Sequence, residues 1–346
     1  ITGSVGKTST KEFLASVLSV GFDIWKTQGN FNNEVGVPLT ILQVRENHKV
    51  LVLEMGINHF GEMTRLSAIG KPDIVVITNI GECHLEYLEN RDGVLKAKTE
   101  IFSGMNTSGE VILNGDDDKL ITVKEVNGKA SIFFGSNSEN DYYVESEKSH
   151  GLFGSEAVLV SKKGMRVNAN IPLPGKHMVS NALTAMAVGE IMGLSVSQIE
   201  EGISKVASTK GRSNIEKSDK YTIIDDCYNA NPTSMKSAIE LLKEADTSKV
   251  AILGDMFELG EREKELHGEV GAYAATSGID VLICIGRLSK NMYEAASEKQ
   301  EAMTYYFEDI ESALNSLDNI LQTGDSILVK ASNSMGFNRI VEHLKK

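Results

Sequence analysis

The tract Ile1-Thr2-Gly3-Ser4-Val5-Gly6-Lys7-Thr8-Ser9-Thr10 constrains this chain more than any other part of it. Glycines at 3 and 6 let the backbone curl so that the amides of Gly3, Ser4, Val5, Gly6, Lys7, Thr8 and Ser9 point at one anion. Lys7 adds a positive charge, and the Thr8 hydroxyl is placed to ligate a Mg²⁺ carried by a nucleotide. Residues 11–19 read as a helix whose positive dipole end faces the same phosphate. Phe13, Leu14, Val17 and Leu18 recur at helical spacing, so this helix is expected to pack on a core. Ile1 stands where the common loop pattern has its first glycine. Such a loop follows a β-strand, and no strand precedes it in the numbered residues, so the reading expects an upstream segment.

A phosphate loop commits the chain to an α/β fold, and the remaining pattern agrees. Residues 50–54 and 73–78 are apolar and β-branched and end in polar residues, as buried parallel strands do where they meet an active-site edge. Residues 111–160 hold short β-like pieces separated by Gly, Asn and Ser, which reads as a mostly antiparallel region of the same domain. Helices are expected at 181–192 and 195–206. Near residue 208 the pattern restarts, with strands expected at 221–226, 250–255, 281–286 and 326–330. Helices are expected between and after them, at 232–245, 261–276, 309–321 and 336–344. Asn231-Pro232 fits a helix cap followed by proline in the first turn. The division is into residues 1–207 and a second doubly wound α/β unit at 208–346.

Composition excludes several classes. The net charge of −13, without a Lys/Arg cluster, disfavours nucleic acid. An anionic substrate would have to be caught by local positive charge and metal ions, because the overall field repels it. The longest apolar runs fall far below the roughly 20 residues of a membrane span. Cys83, Cys227 and Cys284 lack Cys-x-x-Cys spacing, which suits reduced thiols in a cytoplasmic protein, and no second Cys/His pair has the spacing of a zinc site.

The residues that could carry chemistry keep two readings each. Glu54, at a strand end, is a Walker-B-like acid or a surface carboxylate. His84, in the loop after the 73–78 strand, is a metal ligand or a polar loop residue. Lys96 and Lys98 read, on residue pattern alone, as a solvated basic helix face. His177 and Asn181 could meet an adenine edge, or Asn181 could merely cap a helix. Arg212, at the unit junction, could reach a transferring phosphoryl group. The run Asp225-Asp226-Cys227-Tyr228-Asn229-Ala230-Asn231-Pro232 lies at a strand-to-helix turn, where α/β sheets bind ligands.

Taken in order, these segments resemble the Mur ligase family of ATP-dependent amide-forming enzymes, whose phosphate loop also lacks the early glycine. The likeness is carried by the loop and by Gly29-Asn30-Phe31-Asn32-Asn33-Glu34-Val35-Gly36, Glu54-Met55-Gly56-Ile57-Asn58-His59, Asn79-Ile80-Gly81-Glu82-Cys83-His84, the 226–232 run and Gly254-Asp255-Met256-Phe257-Glu258-Leu259-Gly260. The resemblance implies a central ATPase domain with a mostly parallel sheet and a small antiparallel region, then a Rossmann-like C-terminal domain. It also implies an N-terminal UDP-binding domain outside these residues, without which ligation would be poor. It implies ATP and two Mg²⁺ ions, one held by Thr8 and the other by Glu54, His84 and a carbamoylated Lys98. Lys7 would hold the β- and γ-phosphates, His177 and Asn181 the adenine side, and Arg212 with Asp226 the C-terminal contribution to ATP. The implied substrates are a UDP-N-acetylmuramoyl-tripeptide and D-alanyl-D-alanine, with Asn32, Asn33, Asn58, His59, Asn229, Asn231 and Ser332 as contacts, in a monomer. A folylpolyglutamate-synthase-like ligase, a nucleotide-binding module without catalysis, and a kinase stopping at phosphoryl transfer are the rival readings.

Overall fold

No regular strand precedes the phosphate loop in these residues, but its own first two residues pair with strands on both sides. In the computed structural model, which describes residues 1–346, Ile1 donates to Leu53 O (2.7 Å) and accepts from Met55 N–H (2.8 Å). On its other side Thr2 donates to Val76 O (2.9 Å) and accepts from Thr78 N–H (3.0 Å). Ile1 and Thr2 thus fill a slot between the strands Val50–Val52 and Ile74–Ile77, with Thr2 bridged to Ile77 in parallel sense.

That slot joins two ladders. Ile24–Lys26 and Val50–Val52 pair in parallel on one side. On the other lies a six-stranded sheet in the order Arg166–Ile171, Ser155–Ser161, Tyr142–Ser149, Ile132–Gly135, Glu110–Asn114, Ile74–Ile77. The expectation of a mostly antiparallel region at 111–160 holds for its later strands and is corrected for its earlier ones. Glu110–Asn114, Ile132–Gly135 and Tyr142–Ser149 pair in parallel, and the ladder turns antiparallel only over the last two strands. The largely polar connection between residues 114 and 132 is a crossover holding a 3₁₀ turn and a small hairpin, long enough to bring the chain back in the same direction.

Side-chain patterns follow from what covers each strand. Ser155–Ser161 and Arg166–Ile171 bury alternate residues, because the helix Lys176–Ile191 covers one face. The helix Lys7–Leu18 buries Phe13, Leu14, Val17 and Leu18 in the same core. It lies hard against Val196–Ser204: a Cβ on Gly202 would stand 2.4 Å from Val17 Cα, and Ser16 Oγ donates to Gly202 O (2.6 Å).

The chain divides into two compact units, Ile1–Ala207 and Ser208–Lys346. The second has its own core and a six-stranded sheet in the order Asn214–Lys217, Thr222–Asp225, Ser326–Lys330, Lys249–Gly254, Val281–Ile285, Met303–Phe307, parallel except for the first. The edge strand Met303–Phe307 and the helix Ser289–Ser297 carry no continuous aliphatic run and went unread in the sequence. Asn231 caps the helix Pro232–Lys243 through Ser234 N–H (2.8 Å), with Pro232 in the first turn. Leu266, Val270 and Ala274 bury one face of Glu263–Ala275.

His267 is fully buried on that helix. Met256 N–H donates to its Nε2 (2.9 Å), so the ring proton sits on Nδ1 and is donated to Glu263 O (2.5 Å). Only the neutral ring serves both partners, and burial holds the imidazole below its ordinary value. The unfolded chain therefore binds this proton more readily. His267 contributes stability that is present above its unfolded value of roughly 6.5 and is lost as pH falls through the folded value. Urea midpoints should drop more steeply below about pH 6.5 in the wild type than in His267→Gln, whose amide does not titrate. Parallel curves would remove the imidazole as the cause.

Candidate active site

The loop is clamped by the segment that follows Ile74–Ile77. Val5 N–H donates to Asn79 Oδ1 (2.9 Å), while Asn79 Nδ2 (2.9 Å) and Thr78 Oγ1 (2.6 Å) both donate to Val5 O. Ser4 Oγ accepts from Gly81 N–H (2.8 Å) and from the Cys83 thiol (3.1 Å). Gly3, at φ +152°, passes so close that a Cβ would lie 1.9 Å from Thr78 Oγ1. Gly6, at φ +85°, turns the chain into the helix Lys7–Leu18, which has no side-chain cap. Its first-turn amides lack intrahelical acceptors and face the loop, the arrangement that binds an anion. Lys7 Nζ folds back onto Gly3 O (2.8 Å), at the mouth of the same curl.

Glu54, two residues past its strand, is buried rather than a surface acid. Its Oε1 accepts from Thr8 Oγ1 (3.1 Å) and Asn32 Nδ2 (2.8 Å). Its Oε2 is sealed from solvent without a hydrogen bond, 3.5 Å from the buried Lys11 ammonium. Lys11 was not singled out from the sequence, although it lies one turn beyond Lys7 on the same helix face. Asn32, read as a substrate contact, thus has its amide on Glu54. Asn33 Oδ1 accepts from the amides of Val35 (3.2 Å) and Gly36 (2.9 Å) at the start of Gly36–Ile41. Asn58 and His59 are held through their amides by Glu62, and the exposed His59 ring tilts against Tyr87 at 4.3 Å.

The helix Arg91–Thr99 separates its two lysines. Two residues are about 200° apart on a helix, so Lys96 and Lys98 face opposite ways. Lys96 stays outside, 5.4 Å over the Phe60 ring. Lys98 is 1% exposed and no carboxylate pairs with it. The solvated reading holds for Lys96 and fails for Lys98. Burial pushes the Lys98 amine well below the usual lysine range, with the Cys83 thiol opposing. His84 adopts a left-handed turn (φ +52°) into the short helix Leu85–Leu88. No trio of His, Cys, Asp or Glu side chains gathers as a ready metal cage. The structure does bring Thr8 and Glu54 together, a hydroxyl beside a carboxylate with one sealed, unbonded oxygen. That donor set fits a hard cation.

On Lys176–Ile191, Asn181 is buried in mid-helix, not at a cap, and accepts from Thr10 Oγ1 (2.8 Å). The His177 ring lies over Gly175, where a Cβ would come within 2.7 Å of it.

In the second unit, three parallel strand ends converge. Asp226 accepts from Ser213 N–H (2.9 Å) and from the buried Lys330 ammonium (2.6 Å), so both its oxygens are engaged. Lys330, unflagged by the sequence reading, also donates to Asn229 O (2.9 Å). Asn229 Oδ1 accepts from Ala230 N–H (2.9 Å), and Asn231 Oδ1 is the helix cap. The Arg212 Cζ stands over Tyr228, 3.8 Å from the ring centroid, with its Nε buried and unpaired. Ser332 Oγ accepts from Phe257 N–H (3.0 Å).

A clamped phosphate loop beside a buried acid, followed by a second doubly wound unit, defines an ATP-dependent enzyme of two α/β units. Residues 1–189 match the Mur ligase middle domain, and residues 211–333 the Mur ligase glutamate ligase domain. The chain belongs to the Mur ligase family, and it is an ATP-dependent peptide ligase. It is 37% identical to the UDP-N-acetylmuramoyl-tripeptide–D-alanyl-D-alanine ligase of Bacillus subtilis, over 99% of this chain and 75% of that protein. The crystal structure of MurF from Acinetobacter baumannii superposes with a TM-score of 0.90 at 32% identity, over 100% of this chain and 76% of that one. MurF from Thermotoga maritima, solved in complex with ADP, gives 0.87 at 28% identity, over 100% of this chain and 78% of that one.

Gly3→Ala should abolish nucleotide binding, because the new Cβ must displace Thr78 and release Val5; unchanged ATP affinity by calorimetry would contradict the clamp. For Lys98 the depressed folded value means that the unfolded chain holds the extra proton. Stability attributable to it rises with pH through the window between the folded value and roughly 10.4. In CO₂-free buffer at pH 7, Lys98→Met should therefore melt about 2 °C or more higher than the wild type. That gain should shrink toward pH 10, as differential scanning calorimetry would report.

Proposed function

We propose that this chain is the catalytic part of a ligase that joins D-alanyl-D-alanine to a UDP-N-acetylmuramoyl-tripeptide, in the cytoplasm, where ATP and UDP-linked donors are found. The observation that carries the reading is Lys98: a buried lysine without an acid partner, in a chain 37% identical to a ligase of that name. Burial favours the neutral amine, which attacks CO₂ and loses a proton to become a carbamate. An ammonium repels a cation, whereas a carbamate offers hard anionic oxygens.

Thr8 and Glu54, with His84 and the Lys98 carbamate, are the residues that would hold Mg²⁺, which supplies charge neutralisation for the phosphates when bound. The chain's own groups do the rest. Loop amides and Lys7 hold the β- and γ-phosphates and stabilise charge as the γ-phosphoryl passes to the donor carboxylate. Asn32, Thr8 and Lys11 hold the Glu54 carboxylate in one orientation. The acyl phosphate so formed is attacked by the dipeptide amine. An amide forms as phosphate leaves and the amine gives up its proton. The 226–232 and 331–337 turns of the second unit are the acceptor side, with Asn229 and Ser332 at their centre.

Phosphate release by the full-length protein should require UDP-N-acetylmuramoyl-tripeptide and D-alanyl-D-alanine together, and should be absent with a folate and glutamate. The reverse preference would overturn the assignment. Lys98→Ala should lose at least about 100-fold in kcat and regain part of it with added short carboxylates or chloride. Activity untouched by the substitution would rule out the carbamate role.

A further inference from the structure

The turn after Lys249–Gly254 is built with more care than the core requires. Five hydrogen bonds to three other parts of the unit fix it. Met256 N–H donates to His267 Nε2 (2.9 Å), and Phe257 N–H to Ser332 Oγ (3.0 Å). Ser332 N–H donates to Asp255 O (3.0 Å), while Ser289 N–H (2.7 Å) and Oγ (2.6 Å) both donate to Asp255 Oδ1. Glu258 is then held in the left-handed region at φ +62°, an uncommon state for a side chain of that size. Strain of this kind persists only where its surroundings over-determine it. His267, Met256, Ser289 and Ser332 are all buried, yet the residue they present, Phe257, leaves 40% of its surface in solvent. The Phe257 amide is hydrogen-bonded to Ser332, so the exposed ring is tied to the acceptor-side turn.

We propose that Phe257 is the apolar wall on which the small side chains of the acceptor dipeptide pack, and that His267 is a positioning residue that fixes this wall through the Met256 amide. The proposal rests on the acceptor reading above and deepens it. The chemistry suits the occupant. The ammonium of Lys330 is already neutralised by Asp226, so the turns offer the dipeptide a hydroxyl, carbonyls and an aromatic face. Alanyl methyls gain by covering such a ring, and a hydroxymethyl in their place gains less. A leucine at 267 would leave the Met256 N–H without its acceptor inside the fold and free the turn to relax.

Steady-state ligation by the full-length protein tests this, with ATP and donor saturating and the dipeptide varied. Phe257→Ala should raise KM for D-alanyl-D-alanine about tenfold, leave KM for ATP within about twofold, and narrow the preference over D-alanyl-D-serine. His267→Leu should shift the same KM, His267→Gln should recover most of it by restoring an acceptor, and the double variant Phe257→Ala/His267→Leu should add little to either single one. Because Phe257 is exposed, its variant keeps the test open should His267→Leu not fold. A dipeptide KM unmoved by Phe257→Ala, in an enzyme that uses D-alanyl-D-alanine, overturns the wall and leaves the acceptor reading standing. Equal rises in the KM of ATP, donor and dipeptide would make the turn general scaffolding and overturn it too. A wild type that rejects D-alanyl-D-alanine but ligates another amine sinks the acceptor reading and this inference with it.

Discussion

The slot between Val50–Val52 and Ile74–Ile77, filled by Ile1 and Thr2, is the constraint on which the first unit's chemistry depends. Parallel pairing on both sides fixes where the phosphate loop leaves the sheet. It sets Gly3 against Thr78, Thr8 against Glu54, and Val5 within reach of Asn79. The loop is not self-supporting, since its inward amides and carbonyls are satisfied by the next strand's end. What is left facing outward is the set of donors an anion needs. Anion binding is thus a by-product of strand register.

Charge management follows the same logic at three buried lysines, Lys11, Lys98 and Lys330. An ammonium taken out of water costs several kcal/mol unless it is paired. Lys11 is paired with Glu12 and Glu54, and Lys330 with Asp226 and two carbonyls. Lys98 has no such partner, so its neutral form is the one that burial favours. The two paired lysines hold carboxylates in place, and the unpaired one has no carboxylate to hold. In a chain of net charge −13, these local arrangements decide where an anion can settle.

Much of the fold was legible because local patterns and tertiary demands coincide. Phe13, Leu14, Val17 and Leu18 mark a helix face that is indeed core, and Asn231-Pro232 marks a cap that is indeed a cap. Legibility failed where direction or facing had to be chosen. A polar connection with scattered turn residues serves a hairpin or a crossover equally well, so the parallel pairing of Ile132–Gly135 was hidden. Met303–Phe307 is a half-exposed edge strand and lacks the continuous aliphatic run of its neighbours. Lys11 and Lys330 were missed because their carboxylate partners, Glu54 and Asp226, are far away in the chain.

By itself the sequence determined the phosphate loop, the succession of strands and helices in two α/β units, and the resemblance that named the chemistry. These depend on residue spacing over one or two turns, where chain geometry leaves little choice. Only the tertiary structure decided that Glu54 is sealed beneath Thr8, that Lys98 turns inward while Lys96 turns out, and that Phe257 is held up by His267 and Ser332. Each of those facts is set by packing between residues distant in sequence. A buried charge or a strained turn takes its energy from partners that no local pattern records.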